Sequence, residues 1–269
     1  MTSVGVIFRR ALRDARWGII GWGIAVGSVT LFVVLLFPTM KAFGGFGELL
    51  ESPIYKALLG EAADAAAFMT PAGFFGIYVV MFVPLYIAIY MVLLGLGVTA
   101  LEEDRSTIDL LLSTPTPRWQ LVVEKFLAII VIAGLLLSIN FVFGVFGVLI
   151  TPEMDVPLGS VAAGSLAMLP ILVVMAALAL LLATTLRSRF LAGALAGVII
   201  IGSYMLTNLA QVAADTLGTV KYLSIFTYHR AVPIMVDGIR WGDFAVLSVI
   251  SLVMLGLAII AFQRRDLLA

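Results

Sequence analysis

Cysteine is absent from this chain of 269 residues, and histidine occurs once, as His229. Without cysteine there is no disulfide, no thiolate nucleophile and no Cys-ligated zinc. A single histidine excludes any site that needs two imidazoles from one chain. Charge is scarce as well: 12% of the residues are Asp, Glu, Lys or Arg, against about 25% in a soluble domain. Basic and acidic side chains cancel, and there is no long basic run, so nucleic-acid binding has no electrostatic footing. HExxH, GxSxG and GxxxxGK(S/T) are all missing. The chain is therefore expected to be no enzyme, to hold no cofactor or metal, and to take any energy it uses from another polypeptide.

What is present is apolar. Hydrophobic residues make up 62% of the chain, with a mean hydropathy of +1.17. A surface this poor in charge cannot be wetted, so lipid is the solvent for much of it. About 20 apolar residues cross the ~30 Å hydrocarbon layer. Six runs meet that standard, near 18–37, 74–100, 126–150, 158–186, 189–208 and 244–262. The fold expected is an all-α integral membrane protein with six transmembrane helices, forming a single domain over 1–269. Pro170 predicts a kink or tilt in the fourth span, and Pro84 one in the second. Arg187-Ser188-Arg189 predicts a tight turn between the fourth and fifth. Gly23/Gly27 and Gly193/Gly197 place small residues on one helix face, suited either to packing within the chain or to a dimer seam.

Residues 1–17 carry Arg9, Arg10, Arg13 and Arg16 opposite Val4, Ile7, Phe8 and Leu12. That pattern predicts an N-terminal amphipathic helix lying in the headgroup region. The apolar run after it is longer than a signal-peptide core and lacks a small-x-small cleavage site, so an uncleaved first span is expected. With the N-terminus inside, inner segments hold eleven Lys and Arg and the outer ones five. The positive-inside rule then places both termini in the cytoplasm. Two outer loops are expected near 38–73 and 209–243. In the first, 48–51 and 57–68 suit short interfacial helices. In the second, Tyr222, Leu223, Ile225, Phe226 and Trp241 are apolar enough to enter the membrane's outer edge.

The interiors of the six spans carry no Asp, Glu, Lys, Arg or His. Carriers driven by ion gradients usually place a titrating group at that depth, at a cost of about 2.5–3.5 kcal/mol on insertion scales. A secondary carrier is thereby disfavoured. Asn140, Ser138, Thr184, Thr185, Ser203 and Thr207 are expected to hydrogen-bond between or within helices.

One polar stretch interrupts the apolar pattern. Residues 102–125 hold eight of the chain's charged side chains between the second and third runs. Ser106 or Thr107 can cap a short helix, Asp109 lies in its first turn where the dipole favours an anion, and Pro115 ends it. Thr116-Pro117 reads as N-cap and first-turn proline of the next helix. By local chemistry alone, an ordinary capped inner loop serves as well as a docking surface.

Thr107-Ile108-Asp109-Leu110-Leu111-Leu112-Ser113-Thr114-Pro115, followed by Arg118 and Lys125, resembles the loop of type-2 ABC exporter permeases. Ser106 stands where glycine is common in that pattern, and Asp109 where glutamate is. The layout of an arginine-bearing N-terminal helix and six spans is similar as well. The resemblance implies that this loop is a cytoplasmic coupling helix seated on a separate P-loop ATPase, which holds the ATP and Mg²⁺. It implies a complex of two permeases, either a second copy or a paralogue, and two ATPases in the plasma membrane of a bacterium or archaeon. Carried over, Glu102, Glu103, Arg105, Thr107, Asp109 and Arg118 form the ATPase-facing surface, with Arg9 and Arg13 adding to it. A path between the permeases, lined by the second and fifth spans, would include Tyr78, Tyr86, Tyr90 and Asn208. The function implied is ATP-driven export of a hydrophobic or amphipathic compound. A membrane scaffold anchoring a cytoplasmic partner is the alternative from another class.

Overall fold

Helices account for every regular element in the computed structural model, which describes residues 5–43, 70–98, 117–186, 188–212 and 218–264. No strand occurs among the described residues. Six helices are long and apolar enough to span a bilayer: α1 (Val6–Phe43), α2 (Pro71–Leu96), α3 (Arg118–Ile150), α4 (Leu158–Thr185), α5 (Arg189–Val212) and α7 (Trp241–Arg264). A short α6 (Ala231–Asp237) follows two 3₁₀ turns, Val220–Leu223 and Ile225–Tyr228. Each of the six expected runs coincides with one of the long helices, although the second and fourth helices end at Leu96 and Thr185, short of the expected 100 and 186.

The N-terminal arginine stretch departs from the separate interfacial helix expected for residues 1–17. It is the first part of α1, which runs 38 residues without a break. At 1.5 Å per residue that is ~57 Å, nearly twice the hydrocarbon thickness. No proline lies between Arg16 and Gly23, the helix continues through Gly18 and Gly21, and the two segments share one buried face. Ala15 and Ile19 are buried, and Ile7 and Leu12 pack against the core. The apolar side of this stretch therefore meets protein, while Arg9, Arg10, Arg13 and Arg16 remain exposed.

Helix α4 is the hub. Of its most apolar window 78% is buried, against 17% for α7, and it touches α2, α3, α5, α6 and α7. A parallel pair, α1 and α3, forms the other half of the core. Buried Thr30 donates to Asn140 Oδ1 across that seam at 2.7 Å. A side chain on Gly23 would strike Ile139, and one on Gly27 would strike Phe143. Those two glycines therefore serve packing inside the chain. Gly193 also faces a neighbour, Leu96, whereas Gly197 faces open space. Gly95 brings α2 onto α4: a Cβ there would run into the Ala176 carbonyl and the Ala179 methyl group.

Pro170 lies buried inside α4, which continues through it. The irregularity in the second span sits just before Pro84. Residues Gly76–Met81 form a π-helical turn, and Val83 restarts the α-helix with Pro84 in its first turn, where the missing N–H costs nothing. The turn between α4 and α5 is as tight as expected, with Leu186 closing α4 and Ser188 Oγ accepting from Leu191 N at 3.2 Å.

Segment 218–240 is folded onto the bundle. Ser203 and Thr207 of α5 hold it through hydroxyls: Ser203 Oγ accepts from Ile225 N at 3.0 Å, and Thr207 Oγ1 donates to Ser224 Oγ at 2.6 Å. Phe226 is buried edge-on against Tyr204, with ring centroids 5.4 Å apart. Tyr222, Leu223 and Trp241 are exposed. Gly76 admits α6, since a Cβ there would press on the Ala231 carbonyl and Val232 Cα. The candidate helices at 48–51 and 57–68 lie outside the described residues.

Candidate functional site

The segment expected to couple to a partner enters and leaves the bundle at one end, after Val98 and before Pro117. Glu102, Glu103, Arg105, Thr107 and Asp109 lie outside the described residues, as does the side chain of Arg118. Both of the segment's anchor points are described. Helix α3 begins at Arg118 with Pro117, in extended conformation, at the N-cap. The start is thus one residue later than the expected Thr116 cap. Trp119 is 48% exposed at this level.

About two turns into α3 stand two adjacent charges, each bound to the terminus of a different helix. Buried Glu124 accepts from Gly5 N through Oε1 and from Phe8 N through Oε2, both at 3.1 Å, and Gln120 Nε2 donates to it at 2.8 Å. A carboxylate on the free N–H groups at the start of α1 satisfies orphan donors and complements the positive end of the helix dipole. Lys125 Nζ donates to the carbonyl oxygens of Val98 at 2.9 Å and Gly97 at 3.4 Å. An ammonium on the free carbonyls at the end of α2 does the reverse at a negative pole. The charges belong where the dipoles want them. Each charge-assisted bond contributes about 1.5–3 kcal/mol.

Three helices thereby meet at the root of the 99–116 segment. A pull on that segment acts on the end of α2 and the start of α3, which Lys125 ties together, and reaches α1 through Glu124. Sequence reading placed Lys125 at the entry to the third span and overlooked Glu124. Its signal was there: an acidic residue about two turns into an apolar helix, with Gln120 four residues before it.

The four candidate path residues separate into two groups. Tyr78 and Tyr86 belong to an aromatic stripe on α2, in which Phe74, Tyr78, Phe82 and Tyr86 follow with centroid spacings of 4.7, 6.4 and 6.5 Å. Phe82 reaches Tyr204 of α5 at 6.5 Å, and buried Asn208 hydrogen-bonds Tyr204. Tyr90 stands apart. Its hydroxyl donates to the Ala15 carbonyl at 3.4 Å and its ring stacks on Trp22 at 5.9 Å, both on α1.

The family profile described as ABC-2 family transporter protein matches residues 6–267, nearly the whole chain. The chain belongs to the ABC-2 transporter family. No curated protein matches it significantly. It is thus the membrane permease component of an ABC-2 type transporter. ABC-2 permeases lack the ATPase and pair with an ABC ATPase. In this permease the residues flanking the charged segment and the two terminal clamps lie at one end of the bundle.

Single-residue roles for the other polar spans also emerge from the permease structure. Asn140 bonds across α1 and α3. Ser138, Thr184 and Thr185 return their hydroxyls to carbonyls of their own helices. His229 is buried, and its Nε2 lies 2.8 Å from the Val80 carbonyl. That carbonyl belongs to the π-helical turn, whose wider register frees acceptors from the regular ladder. The loop histidine is therefore a fastener between segment 218–240 and α2.

Proposed function

We propose that this permease exports a hydrophobic or amphipathic compound, driven by a separate P-loop ATPase that seats on the 99–116 segment. Both termini and that segment face the cytoplasm, as the eleven-to-five bias in Lys and Arg favours. Glu102, Glu103, Arg105, Thr107, Asp109 and Arg118 make up the contact surface. A second permease, either a copy or a paralogue, completes the path, which Tyr78, Tyr86 and Asn208 line. Tyr90, engaged with Ala15 and Trp22, serves the α1 seam instead.

The paired clamp of Glu124 and Lys125 carries this reading. A loop with no mechanical task needs only ordinary caps. Here one short stretch of α3 grips α1 and α2 with opposite charges, so displacement of the loop becomes displacement of three spans. The absence of titrating groups in the span interiors fits a motor outside the membrane better than an ion gradient.

The test is purification of the chain from its own cells in nanodiscs, with identification and stoichiometry of the proteins retained. A P-loop ATPase at about equal copy number is expected, lost on Asp109→Lys with Arg105→Glu. A preparation that contains no ATPase even after mild crosslinking overturns the proposal.

A further inference from the structure

At the end of the bundle away from the 99–116 segment, a cavity of about 260 Å³ opens between α5, the end of the π-helical turn and segment 218–240. That volume lies just below the roughly 300–1,000 Å³ of small-molecule sites. It suits the head of an amphiphile better than the whole molecule. Lys221, Arg230, Arg240 and Asp243 supply its charge, three cations against one carboxylate. Among the described residues the ion pairs are Arg10–Asp14 and Lys41–Glu153, so none of the four cavity charges is paired within 4.0 Å. Arg230 is partly withdrawn from water without a carboxylate to compensate it, an arrangement that is costly unless an anion arrives. Burial pushes His229 below its usual pKa, so it adds no charge at neutral pH. Buried Asn208 and Thr207 line the inner wall with neutral polar groups.

We infer that this cavity binds a phosphate-bearing head group, held by Lys221, Arg230 and Arg240. Planar guanidinium groups match phosphate oxygens in forked geometry, and Lys221 adds a point charge. Asp243 limits the affinity, which suits a ligand that has to leave again. Tyr222, on the rim, and neighbouring Leu223 are 59% and 82% exposed and offer an apolar surface over which an acyl chain can lie. The phosphate could equally belong to a soluble ester. Binding at this site is independent of the export reading, since it needs neither ATP nor an ATPase.

The experiment uses the full chain in phosphatidylcholine nanodiscs, titrated with short-chain phosphatidic acid. Retained lipid is counted by native mass spectrometry. One tightly held equivalent is expected, lost in Arg230→Gln/Arg240→Gln, with affinity falling at least roughly tenfold per cation removed. Asp243→Asn keeps the test decisive should the arginine variant fold poorly, because it must bind more tightly than wild type. Neutralising Arg9 and Arg10 at the other end must leave that equivalent in place. Displacement by glycerol 3-phosphate assigns recognition to the phosphate of a soluble ester, and failure to displace assigns it to the lipid. Retention that is indifferent to head-group charge, or unchanged in both the arginine and Asp243 variants, overturns the inference.

Discussion

Lys125 Nζ lies 2.9 Å from the carbonyl oxygen of Val98, although 26 residues of chain separate them. This bond closes the polar segment into a loop with fixed ends. On the other side of Lys125's own backbone, Glu124 holds the first turn of α1. Two adjacent residues of α3 thus hold the ends of two other helices, and under the proposed function the ATPase contacts the segment that Lys125 closes.

Lys125→Gln should therefore uncouple more than it unfolds. It removes about 1.5–3 kcal/mol of charge-assisted bonding to α2 while the apolar core stays whole. The ATPase should still co-purify, and substrate-stimulated ATP hydrolysis should fall severalfold or more, with Lys125→Arg restoring most of it. Normal stimulation in Lys125→Gln would show that the clamp carries no force.

Glu124→Gln keeps the shape but removes the charge at the start of α1. A loss of about 1 kcal/mol or more is expected from the weakened capping. Hydrogen exchange should reveal it as faster exchange at the first turn of α1, with α3 unaffected.

The α2–α4 contact at Gly95 tolerates no side chain. Gly95→Val should lower the thermal midpoint strongly, because the clash is with backbone of α4 that cannot rotate aside. Gly197→Val, which meets open space in the monomer, should leave monomer stability near wild type. A scanning-fluorimetry comparison of the two variants decides the point.

Thr30 and Asn140 offer a double-mutant cycle inside the membrane. Polar pairs between membrane helices average about 0.6 kcal/mol, reaching about 1.7. A coupling energy within that range is expected from unfolding in detergent, and none if the pair is incidental.

His229 makes stability depend on pH. Burial lowers its pKa below the ordinary 6.5, with the carbonyls of Val80 and Ala167 opposing the shift in part. The unfolded chain therefore binds the proton more readily. The stabilisation is complete above pH ~6.5 and is lost as pH falls below that value toward the lower native pKa. Thermal midpoints at pH 7.5 and 5.5 should differ more for wild type than for His229→Gln.

Hydropathy and run length made the six spans legible, because lipid imposes a length that a soluble core does not. Arg187-Ser188-Arg189 announced its turn by leaving no room for anything else. The continuity of α1 was harder to see, since arginines near an apolar run read equally as a surface helix or as the overhang of a long one. What decides between them is that Ala15 and Ile19 meet protein, a contact between residues far apart in sequence. Glu124 and His229 escaped for the same reason. Each is polar in a place where solvation is the default expectation, and each is bound to backbone more than 100 residues away. The π-helical turn has no local signature at all, and Pro84 marked only its edge.

Helix α1 is pinned at both ends. Glu124 holds its first turn, and near the other end Lys41 reaches Glu153 at 3.5 Å. A continuous helix with both ends attached to the same protein works as a ruler: it resists changes in the distance between the two faces of the bundle. Under the proposed function, a stroke delivered at the loop would tilt this half of the molecule rather than stretch it. Spectroscopic labels at the two ends of α1 should keep their separation through an ATP cycle, while distances from α1 to α7 change.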